Sequence, residues 1–122
     1  MPEVKFVDHG KERVLLIDFS KAKDGQEIVE TAEEAMRLVR SINQQRSIRG
    51  LLDLSGTSLT KVVRETMMKM SKNNGPYMKS VAFVGLGVLG SPLFKGLLLV
   101  TGRSNHKVFS TRRDALDWLV QN

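Results

Sequence analysis

The chain has 122 residues, 41% of them hydrophobic, which suffices for one packed core and is short for two domains. It contains no Cys, so disulfides, thiolate metal sites and a cysteine nucleophile are excluded, in keeping with a reducing cytoplasm. Net charge is +6 and unevenly placed: residues 1–65 hold eleven basic and eleven acidic side chains, whereas residues 66–113 hold eight basic ones and no acid.

The elements alternate between strand and helix. Phe6-Val7 ends a first short strand before a Gly10-Lys11 turn, and Val14-Leu15-Leu16-Ile17-Asp18-Phe19 is a continuous apolar run, as in a strand covered on both faces. Asp24-Gly25-Gln26-Glu27 opens a helix with a capping-box pattern. Ile28, Ala32, Ala35, Met36, Val39 and Ile42 form its inner stripe, and Glu33–Arg37 lies on the outer face. Ser47–Leu54 reads as a strand running into a Ser55-Gly56-Thr57-Ser58 turn. A second helix follows with Val62, Val63, Thr66, Met67 and Met70 facing inward. It ends at Asn73-Asn74-Gly75-Pro76, where Asn and Gly tolerate left-handed geometry and Pro cannot continue a helix. Lys79–Val84 is a strand closed by Gly85, a third helix is expected over about Leu89–Thr101, and Lys107-Val108-Phe109 is a short strand. Thr111-Arg112-Arg113-Asp114 caps a last helix carrying Ala115, Leu116, Trp118 and Leu119. The pattern predicts one α/β domain over residues 1–122, with a mixed, mostly parallel sheet of four to five strands and about four helices.

Several segments together carry a family resemblance. They are the Val14–Phe19 strand with Asp24-Gly25, the strand end Leu51-Leu52-Asp53-Leu54-Ser55-Gly56, Asn74-Gly75-Pro76-Tyr77-Met78-Lys79-Ser80-Val81, and Phe109–Leu119. This combination resembles the SpoIIAA-like family of bacterial STAS domains over nearly the whole chain. The resemblance implies a non-enzymatic, cytoplasmic signalling role exercised through a protein partner. In anti-sigma factor antagonists of that family, an Asp-Ser pair opens the helix after the central strand, and a partner kinase phosphorylates the Ser. Here Asp53-Leu54-Ser55 matches the strand end, but the acceptor's approximate place, Lys61-Val62, carries no hydroxyl. Asp53, Ser55, Thr57 and Ser58 are the candidate regulatory loop. The competing reading is that their hydroxyls satisfy turn and cap hydrogen bonds.

Gly85-Leu86-Gly87-Val88-Leu89-Gly90 is a literal GxGxxG between a strand and a helix. A dinucleotide site needs an acid at the end of the next strand, and none occurs before Asp114. The turn at Gly85, Gly87 and Gly90 is therefore read as a strand-to-helix connection, or as a site for a simple anion or small ligand. Asp18 and Asp53 both fall at strand ends and are able to approach each other; without a third ligand or a nucleophile, structural capping is the expected role. His9 and His106 are isolated and no Ser-His-Asp order is present, so neither catalysis, a metal nor a cofactor is expected.

Leu93, Phe94, Leu97, Leu98, Leu99 and Val100 cover more than one helical face, with Lys95 as the one charge among them. Three uses are open: burial beneath the last helix, a homodimer or partner interface centred on Leu93, Phe94, Leu97 and Leu98, or a lipid-facing surface. The Met1-Pro2-Glu3-Val4-Lys5 opening lacks signal-peptide regions, and no apolar run reaches the length of a membrane span, so a soluble protein with weak or no membrane association is expected. The basic charges are spread out, and Tyr77, Trp118 and the five Phe fall in no nucleic-acid signature, so nucleic acid is not an expected partner. The leading expectation is a self-associating STAS-type interaction module lacking the usual phosphoacceptor. The alternative is a small-ligand or lipid carrier built on the third helix and the glycine-rich turn.

Overall fold

A computed structural model describes residues 2–85 and 105–122. β1 (Glu3–His9) and β2 (Glu12–Asp18) form an antiparallel hairpin around Gly10, which sits at φ +61°. β1 is longer than the sequence suggests because its charged positions Glu3, Lys5 and Asp8 stay exposed while Val4 and Phe6 rest on the core. β3 (Ile48–Asp53), β4 (Met78–Val84) and β5 (His106–Phe109) then add in parallel, giving a five-stranded sheet in the order β1-β2-β3-β4-β5. The sheet is thus mixed and mostly parallel, as expected.

α1 (Gly25–Ile42) connects β2 to β3, and α2 (Lys61–Asn74) connects β3 to β4. The Asp24 carboxylate accepts from the Glu27 backbone N–H at 3.0 Å, and the Glu27 carboxylate accepts from the Lys23 N–H at 3.0 Å. The first bond occupies an amide that the opening turn leaves unbonded, and the second ties the Lys23 amide, just ahead of the cap, back to the helix. Thr60 caps α2 in the same way, accepting from Val63 N–H. The buried stripe of α2 runs Val63, Met67, Met70 and Asn74, and Val62 is 49% exposed rather than facing the core. Steps of four, three and four residues hold one face toward the sheet, and Val62 lies about 100° off it. The end of α2 also departs from expectation. Gly75 keeps right-handed geometry (φ −46°) and leads into a 3-10 turn, Gly75–Tyr77, in which Pro76 ends the α-helical hydrogen bonding.

α3 (Arg112–Gln121) packs on the opposite face of the sheet. Alternation along the strands divides the interior into two layers. Leu15, Ile17, Leu52, Val81 and Phe83 face α1 and α2, whereas Val14, Leu16, Leu51, Ala82 and Val84 face α3. This two-sided burial is why the strands read as unbroken apolar runs. The helix expected at Leu89–Thr101, with Leu93, Phe94, Leu97 and Leu98, lies outside the described residues, as do Gly87 and Gly90. Three α-helices are described, and none is long and apolar enough to cross a membrane.

Candidate functional site at the carboxyl ends of the strands

The parallel register of β2 and β3 sets Asp18 opposite Asp53. Both are the last residues of their strands, both are buried, and both share strand parity with the residues facing α3. Two carboxylates at this spacing repel and lose hydration, so they require cationic and N–H partners. Arg112, the first residue of α3, supplies the cation. Its Nε donates to Asp53 Oδ2 at 2.6 Å, and its Nη2 lies 2.9 Å from Asp18 Oδ2.

The second oxygen of each carboxylate is used locally and in matching fashion. Asp18 Oδ1 accepts from the Ser20 backbone N–H at 2.9 Å and from Ser20 Oγ at 2.5 Å. Asp53 Oδ1 accepts from the Ser55 N–H at 2.9 Å. Both are Asp turns that bond two residues ahead. The segments Ile17-Asp18-Phe19-Ser20 and Leu52-Asp53-Leu54-Ser55 therefore perform the same task on neighbouring strands, with Phe19 and Leu54 buried between. Burial alone would raise the Asp18 pKa; the two Ser20 hydrogen bonds and Arg112 outweigh it and hold the carboxyl below its ordinary value. Burial likewise opposes the charge on Arg112, and the two carboxylates reverse that effect, raising its pKa.

A cation is normally unfavourable at the start of a helix, where the backbone N–H groups already carry partial positive charge. The two carboxylates resolve this, since they lie beside both Arg112 and the α3 N-terminus, which Thr111 caps through Asp114 N–H. The other end of α3 is also tethered. Arg49 Nε donates to the Leu119 carbonyl at 2.9 Å while its Nη1 bonds Glu12 at 3.0 Å, and His9 Nε2 lies 2.7 Å from Asp117 Oδ1.

Gly85 belongs to this construction. Leu54 N–H donates to the Val84 carbonyl at 2.6 Å, drawing the ends of β3 and β4 together. A Cβ on Gly85 would lie 2.8 Å from the Leu54 carbonyl carbon and 2.9 Å from Ser55 N, and the residue sits at φ +147°. The first glycine of the GxGxxG run is thus required by close backbone packing.

The regulatory-loop residues expected from the sequence divide between two surroundings. Asp53 and Ser55 join the Arg112 cluster. Thr57 and Ser58 instead line a cleft of about 210 Å³ with Lys23, Asp24, Gly56 and Thr60, between the starts of α1 and α2. Gly56, at φ +74°, takes the third position of a turn closed by Thr57 N–H to the Leu54 carbonyl at 3.0 Å. His9 and His106 lie on opposite edge strands, and no group of three or more His, Asp or Glu among the described residues is arranged to hold a metal ion. Sequence reasoning placed Arg112 in a capping segment and overlooked its pairing. The legible signal was the repeated apolar-Asp-apolar-Ser pattern, which announces two carboxylates in need of a shared cation.

This arrangement of strands and helices is found in a known structure. An uncharacterized protein of the DUF3478 family with a SpoIIAA-like fold, from Shewanella loihica PV-4, matches the chain with a TM-score of 0.67. The match covers 96% of this chain and 92% of the other, at 21% sequence identity. The chain has a SpoIIAA-like fold. No family model and no curated protein matches the sequence. Within the SpoIIAA-like fold, the β3–α2 connection holds Ser55, Thr57 and Ser58, and Val62 follows in the first turn of α2.

Proposed function

We propose that this chain is a non-enzymatic regulatory module that acts by binding another protein, similar in kind to STAS-type anti-sigma factor antagonists but without their usual phosphoacceptor. The observation that carries this reading is Val62. It falls within the approximate place, Lys61-Val62, where the resemblance would put the acceptor hydroxyl, and it is the more exposed of the two large apolar side chains exposed among the described residues. An apolar group at the start of a helix, beside the β3–α2 loop, suits a protein contact and cannot take a phosphate. The reading is further supported by the strand-end carboxylates, whose oxygens are engaged by Arg112, Ser20 and Ser55. Self-association through a homodimer and a cytoplasmic setting are part of the proposal.

The alternative, a small-ligand or lipid carrier built on the expected third helix and the glycine-rich turn, calls for an enclosed apolar chamber beside that helix, which lies outside the described residues. The apolar cavity between α2 and the sheet, lined by Met67, Met70, Met78 and Phe83, is about 40 Å³, the size of one or two waters. Native mass spectrometry of freshly purified protein decides between the two. A ligand-free dimer is expected, whereas a stoichiometric co-purifying lipid or metabolite would favour the carrier.

A further inference from the structure

We infer that α3 is a releasable strap: a helix that opens from the sheet while the layer formed by α1 and α2 stays folded. The two apolar layers are separate clusters, and among the described residues α3 contributes only to the smaller one. Its fully buried side chains there are Ala115 and Leu119, with Leu116 and Trp118 partly buried. Among the described residues, Trp118 also meets the Phe109 ring, and polar contacts hold both ends: Arg112 on Asp18 and Asp53 at the start, and Arg49 on the Leu119 carbonyl and His9 on Asp117 toward the end. β5 stays with the sheet: it pairs with β4, and its His106 stacks on Phe83 of the larger layer with ring centroids 5.6 Å apart.

Release is coupled to unfolding of the helix itself. α3 has ten residues, below the length at which an isolated helix persists in water, and Arg112 at its first position opposes the helix dipole once the carboxylates are lost. Amide protection in α3 therefore reports docking directly. Opening removes α3 from the sheet face of Val14, Leu16, Leu51, Ala82 and Val84 and leaves the α1–α2 core intact.

Native-state hydrogen exchange at low urea concentrations, read by mass spectrometry on the full chain, tests this. Amides of α3 should share one opening reaction, with a weaker urea dependence than the amides of α1 and β3. Two substitutions separate the layers. Ala32→Gly, in the middle of α1, should speed α1 exchange roughly tenfold and leave α3 unchanged, because the strap opens with α1 still folded. Arg112→Met should speed α3 exchange roughly 100-fold. If α3 and the central strands share one urea dependence, or Ala32→Gly accelerates α3 as much as α1, the chain opens all at once and the inference fails. The wild-type and Ala32→Gly measurements decide the matter even if Arg112→Met does not fold.

Discussion

Gly85→Ala offers a sharp test of how the strand ends are built. The new methyl carbon would sit 2.8 Å from the Leu54 carbonyl carbon, 2.9 Å from Ser55 N and 3.1 Å from the Leu54 oxygen. All three are backbone atoms, so no side chain is able to rotate away. The φ of +147° adds strain of about 1–3 kcal/mol for a residue with a Cβ. Relief of the overlap, by moving the end of β4 off β3, costs about another 1–3 kcal/mol. The expected loss is therefore about 2–6 kcal/mol, a large share of the ~5–15 kcal/mol that stabilises a typical domain. Urea titration followed by circular dichroism, with parallel thermal melts, measures it. Gly10→Ala is the control: Gly10 also has positive φ, but nothing lies within 4 Å of its added Cβ, so only the left-handed backbone cost of about 1–2 kcal/mol applies. Equal losses for the two variants, or a Gly85→Ala loss below about 1 kcal/mol, would refute the close-packing argument.

Arg112→Met should cost about 2–4 kcal/mol near pH 7, the lower end reflecting the partial exposure of Arg112, because it leaves two buried carboxylates facing one another. One of them must then gain a proton, its folded pKa rising above the unfolded value, so the variant should recover stability as pH falls from 7 toward 5; urea titrations that give a constant deficit across that range would contradict this. In the wild type the sign is opposite. Asp18 is held below its ordinary pKa, so its contribution is complete above about pH 4 and disappears as pH falls through the folded value; Asp18→Asn should flatten the acid limb of the stability–pH curve. Val62→Glu should change stability by no more than about 0.5 kcal/mol, since the side chain is half exposed, yet abolish partner binding or self-association; native mass spectrometry showing an unaltered dimer would remove Val62 from the interface.

The alternation of strands and helices was legible because both faces of the sheet are covered, so that Val14–Phe19 and Leu51–Leu54 appear as apolar runs bounded by turn residues. Caps were legible for a related reason: Asp24 and Thr111 act on amides three residues away, within a single short window. What stayed hidden depends on register. Asp18 and Asp53 were visible as strand ends, but their pairing with Arg112 needs the parallel alignment of β2 with β3 and the docking of α3 on the matching face. Val62 was misplaced for a subtler reason. Val62 and Val63 are equivalent by composition, and only the phase of the Met67–Met70–Asn74 stripe tells which of them turns inward. Gly85 drew attention as part of a phosphate-binding pattern, whereas its actual constraint comes from the Leu54–Ser55 backbone, contributed by another strand.

The cluster that joins residues 18, 53 and 112 has a kinetic consequence. Its members are far apart along the chain, so it closes only after the hairpin and the β2-α1-β3 unit have been organised. Contacts that close after the transition state act on the rate at which the native state comes apart, and this cluster is expected to be among them. Substitution of Arg112 should thus leave refolding nearly as fast as in the wild type and shorten the lifetime of the folded molecule. In this chain the arginine governs persistence rather than assembly.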